Sequence, residues 1–376
     1  MNNEFIYILK IIYYFVFVFA VYLFALTSYN SKKNKKQTEK KKKHRISTII
    51  IIILCFVIGY YSIICGPNPP KLDRLNYAFR FMHESQALIV KQSSLGLYFI
   101  ECFLHLFTYN PDILFFTMAF IYYYLSFKAY DTYEEVYPIA LLFLTLSSYG
   151  LFGFYMLKQC IAIALVAIAF ACLFKNQRKT CIVLTALAIT FHESAWIVIP
   201  IYFALIFSKS KTSRFLSYSI LLICVIFFRQ ISTILVNLFS FIPGISDQIV
   251  SYIDEKGGIV AEENYFTILK GLPYYFITIF AFVKRNVLKD KIKNYDKFLM
   301  ISFFCSIATL LSFYMYWMWR FAAYCYFPVV VFASIIYSRL TKSKEKMMFA
   351  SFIVLTLGAL MVKLLIQYYY IYGGIV

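Results

Sequence analysis

The sequence is poor in charge, glycine and proline, and these shortages exclude several classes of protein. Charged residues make up 15% of the 376 positions, whereas soluble chains carry roughly 25%. Hydrophobic residues account for 62% and aromatic residues for 21%, which excludes a soluble domain. With 12 Gly and 9 Pro, the chain is neither collagen-like nor disordered. Uncharged runs of bilayer length recur along it and indicate an all-α polytopic membrane protein.

The common catalytic and metal-binding signatures are also missing from the sequence. Its nine cysteines form no C-x-x-C pair, and most lie in apolar runs, where Cys behaves as a small hydrophobe. There is no P-loop, G-x-S-x-G, H-E-x-x-H or D-x-D. Nucleotide hydrolysis, serine hydrolysis and metal-dependent transfer from nucleotide sugars therefore lack their usual residues. We predict no metal and no cofactor.

The formal net charge of +19 comes mainly from basic segments between apolar runs. Residues 32–45 alone hold nine Lys or Arg against one Glu. Short basic loops of this kind are retained on the cytoplasmic side of a membrane. The charge therefore fixes orientation, and we predict no nucleic-acid partner.

The alternation of basic and apolar segments predicts a single integral membrane domain over residues 1–376, with about ten transmembrane helices. Residues 32–45 form a cytoplasmic loop, and residues 67–112 and 243–264 form external loops, the first with an amphipathic helix. The predicted spans are 11–25, 46–66, 113–127, 137–157, 159–174, 215–242, 265–283, 298–319, 321–338 and 347–370.

The apolar segment 181–208 does not fit the simple alternation, because basic clusters flank both of its ends. Both ends should therefore face the cytoplasm, yet 28 residues are too few for two full spans. We predict a re-entrant helical pair that turns near residues 191–195. Non-helical backbone at that depth requires surrounding protein or a wet cavity.

His192 and Glu193 stand at the predicted turn of this pair. A charge in the bilayer centre costs at least ~2.5 kcal/mol on insertion scales, so ionisable residues there need a partner or a task. His titrates near neutral pH and a desolvated Glu can be shifted toward it, so both are candidate general acids or bases. The alternative is a hydrogen-bonded core His with a capping Glu.

Two cations begin predicted spans on the outer side and are candidate anion ligands. Lys158, followed by Gln159, opens a helix whose N-terminus favours an anion such as phosphate, although a snorkelling lysine would look the same. Arg320 follows Trp317 and Trp319, which places a guanidinium beside rings that can stack on sugars. An interfacial aromatic belt explains the Trp residues but not the Arg.

The external loop 67–112 holds further polar candidates. Asp73 and Tyr77 are four residues apart and can share a helix face, with Arg74 and Arg80 nearby, although most charged loop residues are simply solvated. Glu101 and His105 are also four apart, but two ligands do not make a metal site, so we predict a structural role. Together the candidates predict an outer cavity that is cationic and aromatic, which suits a lipid-linked phosphosugar.

Four short motifs carry a resemblance to a known family. Asp73-x-x-x-Tyr77, Lys158-Gln159-x-x-Ala162, Phe191-His192-x-Ser194-Ala195 followed by Pro200-x-Tyr202, and Arg320-x-x-x-Tyr324 occur in the order typical of the EpsG-like polysaccharide polymerases. The resemblance covers roughly residues 46–340 and is strongest over 150–203. Lys158 is a departure, since the family usually has Arg before the Gln; lysine keeps the charge but loses the bidentate fork.

The resemblance implies a Wzy-type polymerase of O-antigen, capsule or exopolysaccharide with a GT-C-like fold, in the bacterial cytoplasmic membrane. Such an enzyme moves a growing glycan from undecaprenyl pyrophosphate to the next lipid-linked repeat at the outer face. Lys158 and Arg320 would hold pyrophosphate, with Gln159, Tyr77, Tyr324 and the Trp residues as further substrate contacts. His192, Glu193 or Asp73 would deprotonate the acceptor hydroxyl. Implied partners are the lipid-linked oligosaccharide, membrane lipid and a chain-length regulator.

Two other functions fit the same residues. A flippase for lipid-linked oligosaccharide would also need a basic cavity and many spans. A glycan O-acyltransferase would also carry a His within the membrane. Elongation of lipid-linked repeats without a gradient separates the polymerase from the first, and consumption of an acyl donor separates it from the second.

Overall fold

The computed structural model describes residues 48–65, 73–83, 94–130, 132–133, 156–207, 269–312 and 318–366, with isolated positions elsewhere. All regular structure in these ranges is helical, which confirms the all-α class. The predicted loops 32–45 and 243–264 lie outside the described residues. So do Trp317 and most of the spans predicted at 11–25, 137–157 and 215–242.

The chain divides into two compact units. Unit 1 comprises Met1–Ala195 with Ala333–Val376, and unit 2 comprises Trp196–Phe332. The helices described in order along the chain are α1 (Thr48–Cys65), α2 (Asp73–His83), α3 (Leu95–His105), α4 (Pro111–Tyr130), α5 (Leu157–Phe174), α6 (Arg178–Phe191), a 3-10 turn (Glu193–Ile197), α7 (Val198–Phe207), α8 (Leu272–Val283), α9 (Arg285–Leu288), α10 (Tyr295–Leu311), α11 (Met318–Arg339) and α12 (Ser343–Ile366).

Four of the described helices are long and apolar enough to cross a membrane: α4, α5, α11 and α12. They coincide with the predicted spans at 113–127, 159–174, 321–338 and 347–370. They differ in how far the protein encloses them: about three quarters or more of the residues are buried in α5 (78%) and α11 (83%), but only 33% in α12. The two most enclosed helices carry Lys158 and Arg320 in their first turns.

In unit 1, α4 packs between α1 and α5, and α5 packs against α6. Close approach of α1 to α4 depends on Gly59, because a Cβ there would lie 2.9 Å from the Phe116 ring. Small residues at helix crossings allow such approach in membrane proteins. The short helices α2 and α3 both contact α4, and α6 ends at Phe191, within the predicted turn.

In unit 2, α10 packs against both α8 and α7. Hydroxyl groups join α8 and α10: the Thr278 Oγ1 lies 2.6 Å from the Ser302 Oγ and 2.8 Å from the Ser306 Oγ. Such bonds replace water for polar groups that are buried between apolar helices. Beyond the end of α8, Arg285 in α9 donates to Asp296 in the first turn of α10 at 3.1 Å.

Candidate functional site

The guanidinium of Arg74 ties together the ends of several elements in unit 1. Its Nη1 donates to the Phe154 carbonyl and its Nη2 to the Ser62 carbonyl, each at 2.8 Å. The same group lies 3.8 Å from the centre of the Phe115 ring, close enough for a cation–π contact. The last turn of α1, the first turn of α2, the N-terminal part of α4 and the segment that leads into α5 therefore meet at one end of unit 1.

Lys158 and Gln159 occupy the first turn of α5 at this end. Lys158 is half-buried and Gln159 is 2% exposed. The first N–H groups of a helix have no partner within the helix and carry its positive dipole end. A cation in that turn therefore adds to a field that favours an anion, as the sequence predicted for this position.

The connection between α5 and α6 reverses the chain, so that α6 runs back along α5 and ends near the level of Lys158 at the start of α5. The backbone N–H of Gln177 donates to the Cys172 carbonyl at 2.9 Å, and that of Asn176 donates to the Leu173 carbonyl at 3.0 Å. With Asn176 in the left-handed conformation at φ 61°, these two bonds form a Schellman motif at the end of α5. The two helices then pack antiparallel. At 1.5 Å per residue α5 is ~27 Å long and α6 ~21 Å, so α6 ends within about two turns of Lys158.

His192 follows α6 and has an extended backbone, with φ −152° and ψ 116°. Its Nδ1 lies 2.7 Å from the Ser194 Oγ and accepts the Ser194 backbone N–H at 3.3 Å. The ring is half-buried, and Glu193, the first residue of the 3-10 turn, is exposed. The ring of His192, and not the carboxylate of Glu193, thus accepts the N–H at the start of this turn.

A close contact between α3 and α6 fixes the residue before His192. A Cβ at Gly96 would lie 2.6 Å from the Phe191 ring, closer than real Cβ contacts come. Gly96 therefore allows the buried Phe191 to seat against α3. This contact holds the last residue of α6 against α3, directly before His192.

The polar residues of the predicted external loop divide into two groups. Asp73 is the first residue of α2 and precedes Arg74, whose guanidinium joins the helix ends described above. Tyr77 lies one turn further along α2 and is half-buried, and the Arg80 guanidinium is 5.1 Å from the centre of its ring. Arg80 itself forms a buried ion pair with Glu101.

His105, the other member of the predicted structural pair, also has a partner within the protein. Its Nε2–H donates to the Phe81 carbonyl at 3.0 Å, and its ring stacks on Tyr109. Among the described residues, His, Cys, Asp and Glu nowhere gather in threes that could hold a metal ion.

The remaining candidates lie in unit 2. Trp319 and Arg320 are in the first turn of α11, with the Arg320 guanidinium 5.8 Å from the Trp319 ring centre. Tyr324, one turn on, is 1% exposed. The side of α11 that holds Tyr324 therefore packs inside the protein, while Arg320 is half-buried at the helix start.

Sequence reasoning missed the roles of three residues at the unit 1 site. Ser194 was part of a motif, and its position two residues after His192 was the only local signal for the contact. Arg74 reaches a carbonyl 80 residues away, and Gly96 meets Phe191 across two elements. No periodicity in the sequence reports contacts of that range.

The apolar helices of the described ranges define the class: the chain is a helical membrane protein. The model of the EpsG family matches residues 83–373, more than three quarters of the chain. The chain belongs to this family of polysaccharide polymerase-like membrane proteins, which confirms the resemblance drawn from the motifs. Comparisons with curated proteins and with solved structures found no match.

Proposed function

We propose that the chain polymerises lipid-linked oligosaccharide repeats, transferring the growing glycan from undecaprenyl pyrophosphate to the next lipid-linked repeat. The observation that supports the proposal is that the start of α2, the start of α5 and the end of α6 lie towards the same end of unit 1. Arg74 holds the start of α2, and so Asp73, beside the segment that leads to Lys158. The α5–α6 pair returns His192 to the level of Lys158.

The chemistry of this end of unit 1 suits transfer from a pyrophosphate donor. The leaving group already carries the activation, so the protein must mainly orient two substrates and stabilise departing negative charge. Lys158 in a helix first turn supplies positive charge. His192, Glu193 and Asp73 supply candidate groups to take the proton of the acceptor hydroxyl.

Arg320 and its aromatic neighbours are the proposed second contact for pyrophosphate and sugar. A guanidinium beside the Trp319 ring can hold phosphate oxygens while the rings stack on sugar faces. Gln159, Tyr77, Tyr324 and Trp317 complete the proposed substrate contacts. The chemistry of these residues requires neither metal nor nucleotide.

The proposal includes the membrane arrangement that the charge pattern predicts. Ten spans and the re-entrant pair of residues 181–208, in a GT-C-like fold in the bacterial cytoplasmic membrane, would place the start of α5 at the outer face. The end of α6 would turn within the membrane, in a cavity that faces that side. The product would be an O-antigen, capsule or exopolysaccharide of the Wzy-dependent kind, and a chain-length regulator would be a partner.

Glycan chain length in a deletion strain tests the proposal. Loss of a polymerase should leave single repeats on the lipid carrier at the outer face, because assembly and export of the unit continue. Retention of single repeats on the cytoplasmic side would indicate a flippase instead. Polymer of normal length that lacks acyl groups would indicate an O-acyltransferase.

A further inference from the structure

We propose that His192 acts as a hydrogen-bond donor through its Nε2–H to the departing pyrophosphate, with Ser194 as the positioning residue that fixes this tautomer. The inference rests on the proposed polymerase function and assigns His192 a different task from proton abstraction. It also leaves the base to be one of two carboxylates, Glu193 or Asp73.

The contacts of Nδ1 assign the tautomer. The Ser194 backbone N–H donates to Nδ1 at 3.3 Å, and a backbone N–H has no acceptor role. Nδ1 must therefore offer its lone pair, and the proton of the neutral ring lies on Nε2. The Ser194 hydroxyl, 2.7 Å from the same nitrogen, then donates to it as well.

The contact of Nδ1 resembles a helix cap, but a cap alone does not call for histidine. Ser, Thr, Asp and Asn are the residues that ordinarily accept an N–H at a helix start. His192 performs that task for the 3-10 turn with one nitrogen only. The second nitrogen, Nε2, gives the ring an N–H donor that lies further from the backbone than any donor of Ser, Thr, Asp or Asn.

An Nε2 that carries a proton can donate a hydrogen bond to the leaving pyrophosphate, but it cannot take the proton of the acceptor hydroxyl. In the transfer, the bond between the sugar C1 and the pyrophosphate oxygen breaks, and undecaprenyl pyrophosphate leaves with its electron pair. The acceptor oxygen bonds to C1 and its proton passes to the carboxylate of Glu193 or Asp73. An N–H donor strengthens its hydrogen bond as negative charge develops on the leaving oxygen.

The position of His192 is consistent with this role. The end of α6 lies within about two turns of Lys158, in the first turn of α5. A cation, a helix N-terminus and an N–H donor at one level complement an anion such as pyrophosphate.

Substitution of His192 by Asn and by Gln distinguishes its three possible roles, which are hydrogen-bond donor, general base and helix cap. In Asn the amide lies as many bonds from Cβ as Nδ1 does, so His192→Asn keeps the cap and loses the Nε2–H. In Gln the amide lies as far out as Nε2, so His192→Gln keeps a donor and weakens the cap. Neither amide takes up a proton, and His192→Ala loses both functions.

The rates of these variants decide the proposal, measured as elongation of lipid-linked repeats by purified protein of confirmed thermal stability. We expect His192→Asn to lose about 10²- to 10³-fold, as when an oxyanion donor is removed, and His192→Gln to retain more than His192→Asn. Equal loss in Asn, Gln and Ala variants would indicate a base and overturn the proposal. A wild-type rate for His192→Asn would indicate a cap only and also overturn it.

Ser194 is tested with a matched serine control and a direct measurement of the tautomer. Ser194→Ala should lower the rate, Ser194→Thr should restore much of it, and Ser351→Ala, at an exposed site on α12, should match wild type. In protein labelled with ¹⁵N-histidine, the His192 signal, assigned by its loss in His192→Gln, should show an unprotonated Nδ1. A protonated Nδ1 in the wild type would overturn the proposal.

These outcomes are distinct from failure of the proposed function. If wild-type protein fails to elongate lipid-linked repeats, the polymerase proposal fails, while the ¹⁵N spectrum still reports the tautomer. If wild-type protein elongates the repeats and the Asn, Gln and Ala variants of His192 lose the same rate, only the assignment of His192 as a donor fails.

Discussion

The two cations that are proposed to bind phosphate differ in the shape of the charged group. Lys158 is a compact ammonium in the first turn of α5, and Arg320 is a planar guanidinium in the first turn of α11, beside Trp319. A guanidinium binds phosphate through two parallel hydrogen bonds, whereas an ammonium acts as a point charge. Their substitutions should therefore differ in outcome.

Arg320→Ala should leave protein in the membrane but yield little polymer, and Arg320→Lys should recover only part of the chain length, because the charge returns without the fork. Lys158→Arg should be tolerated or should lengthen the polymer, since it restores that fork. Glycan gels of complemented deletion strains measure both. Polymer of wild-type length in Arg320→Ala would assign the residue to an interfacial aromatic belt.

At the scale of elements, the end of α6 depends on α3. Gly96 leaves room for the Phe191 ring, so the position of the following His192 depends on a missing side chain. In a helix Ala is ordinarily more stable than Gly by up to about 1 kcal/mol. Any loss on adding a methyl group at Gly96 must therefore come from the contact with Phe191.

Gly96→Ala should lower thermal stability, as overpacking costs typically about 1–3 kcal/mol, and should shorten the polymer because the end of α6 moves. Gly358→Ala is the matched control, since nothing lies within 4 Å of a Cβ there, and it should be neutral or stabilising. Equal behaviour of the two variants in thermal unfolding would contradict the α3–α6 contact.

A buried ion pair between Arg80 and Glu101 joins α2 to α3. Loss of one partner leaves an uncompensated buried charge and costs about 3–5 kcal/mol, whereas replacing both by apolar residues is often neutral. Glu101→Leu should therefore lower the melting temperature, and Arg80→Met with Glu101→Leu should largely restore it together with polymerisation. A stable double variant without activity would give the pair a direct role in the reaction.

Helix starts were predictable from the sequence to the extent that apolar runs mark them. The runs beginning near Lys158 and Arg320 became α5 and α11, with both cations in first turns. The convergence of the site was not predictable, because it depends on contacts such as Arg74 with Phe154. Local periodicity reports which face of a helix is apolar, but not which distant carbonyl a side chain reaches.

At the scale of the whole molecule, the distribution of exposed apolar side chains fits a protein that is surrounded by lipid. On α2, the apolar side chains of Leu75, Phe79 and Met82 are exposed, while the charged Arg80 is buried. A helix in water would show the reverse arrangement. The weakly enclosed α12 likewise presents Met347, Leu355 and Val362 outward.

Cysteine accessibility tests the predicted orientation. Lys293→Cys, exposed between α9 and α10, should react with a membrane-impermeant reagent only after permeabilisation, whereas Tyr109→Cys, exposed just before α4, should react in intact cells. Lys293 is preferable to its neighbour Asn294, whose φ of 63° disfavours Cys. Six of the seven cysteines whose side chains the structure describes are buried, which limits background labelling. Labelling of Lys293→Cys in intact cells would contradict the predicted topology.

The most direct test of the polymerase is elongation by the purified chain. Lipid-linked single repeats from the deletion strain would be incubated with protein in detergent, with a chelator and without nucleotide or gradient. We predict a ladder of lipid-linked products, with one undecaprenyl pyrophosphate released for each glycosidic bond formed, and a shorter ladder for Arg320→Ala. Single repeats that stay unchanged in the presence of folded wild-type protein would contradict the proposed function.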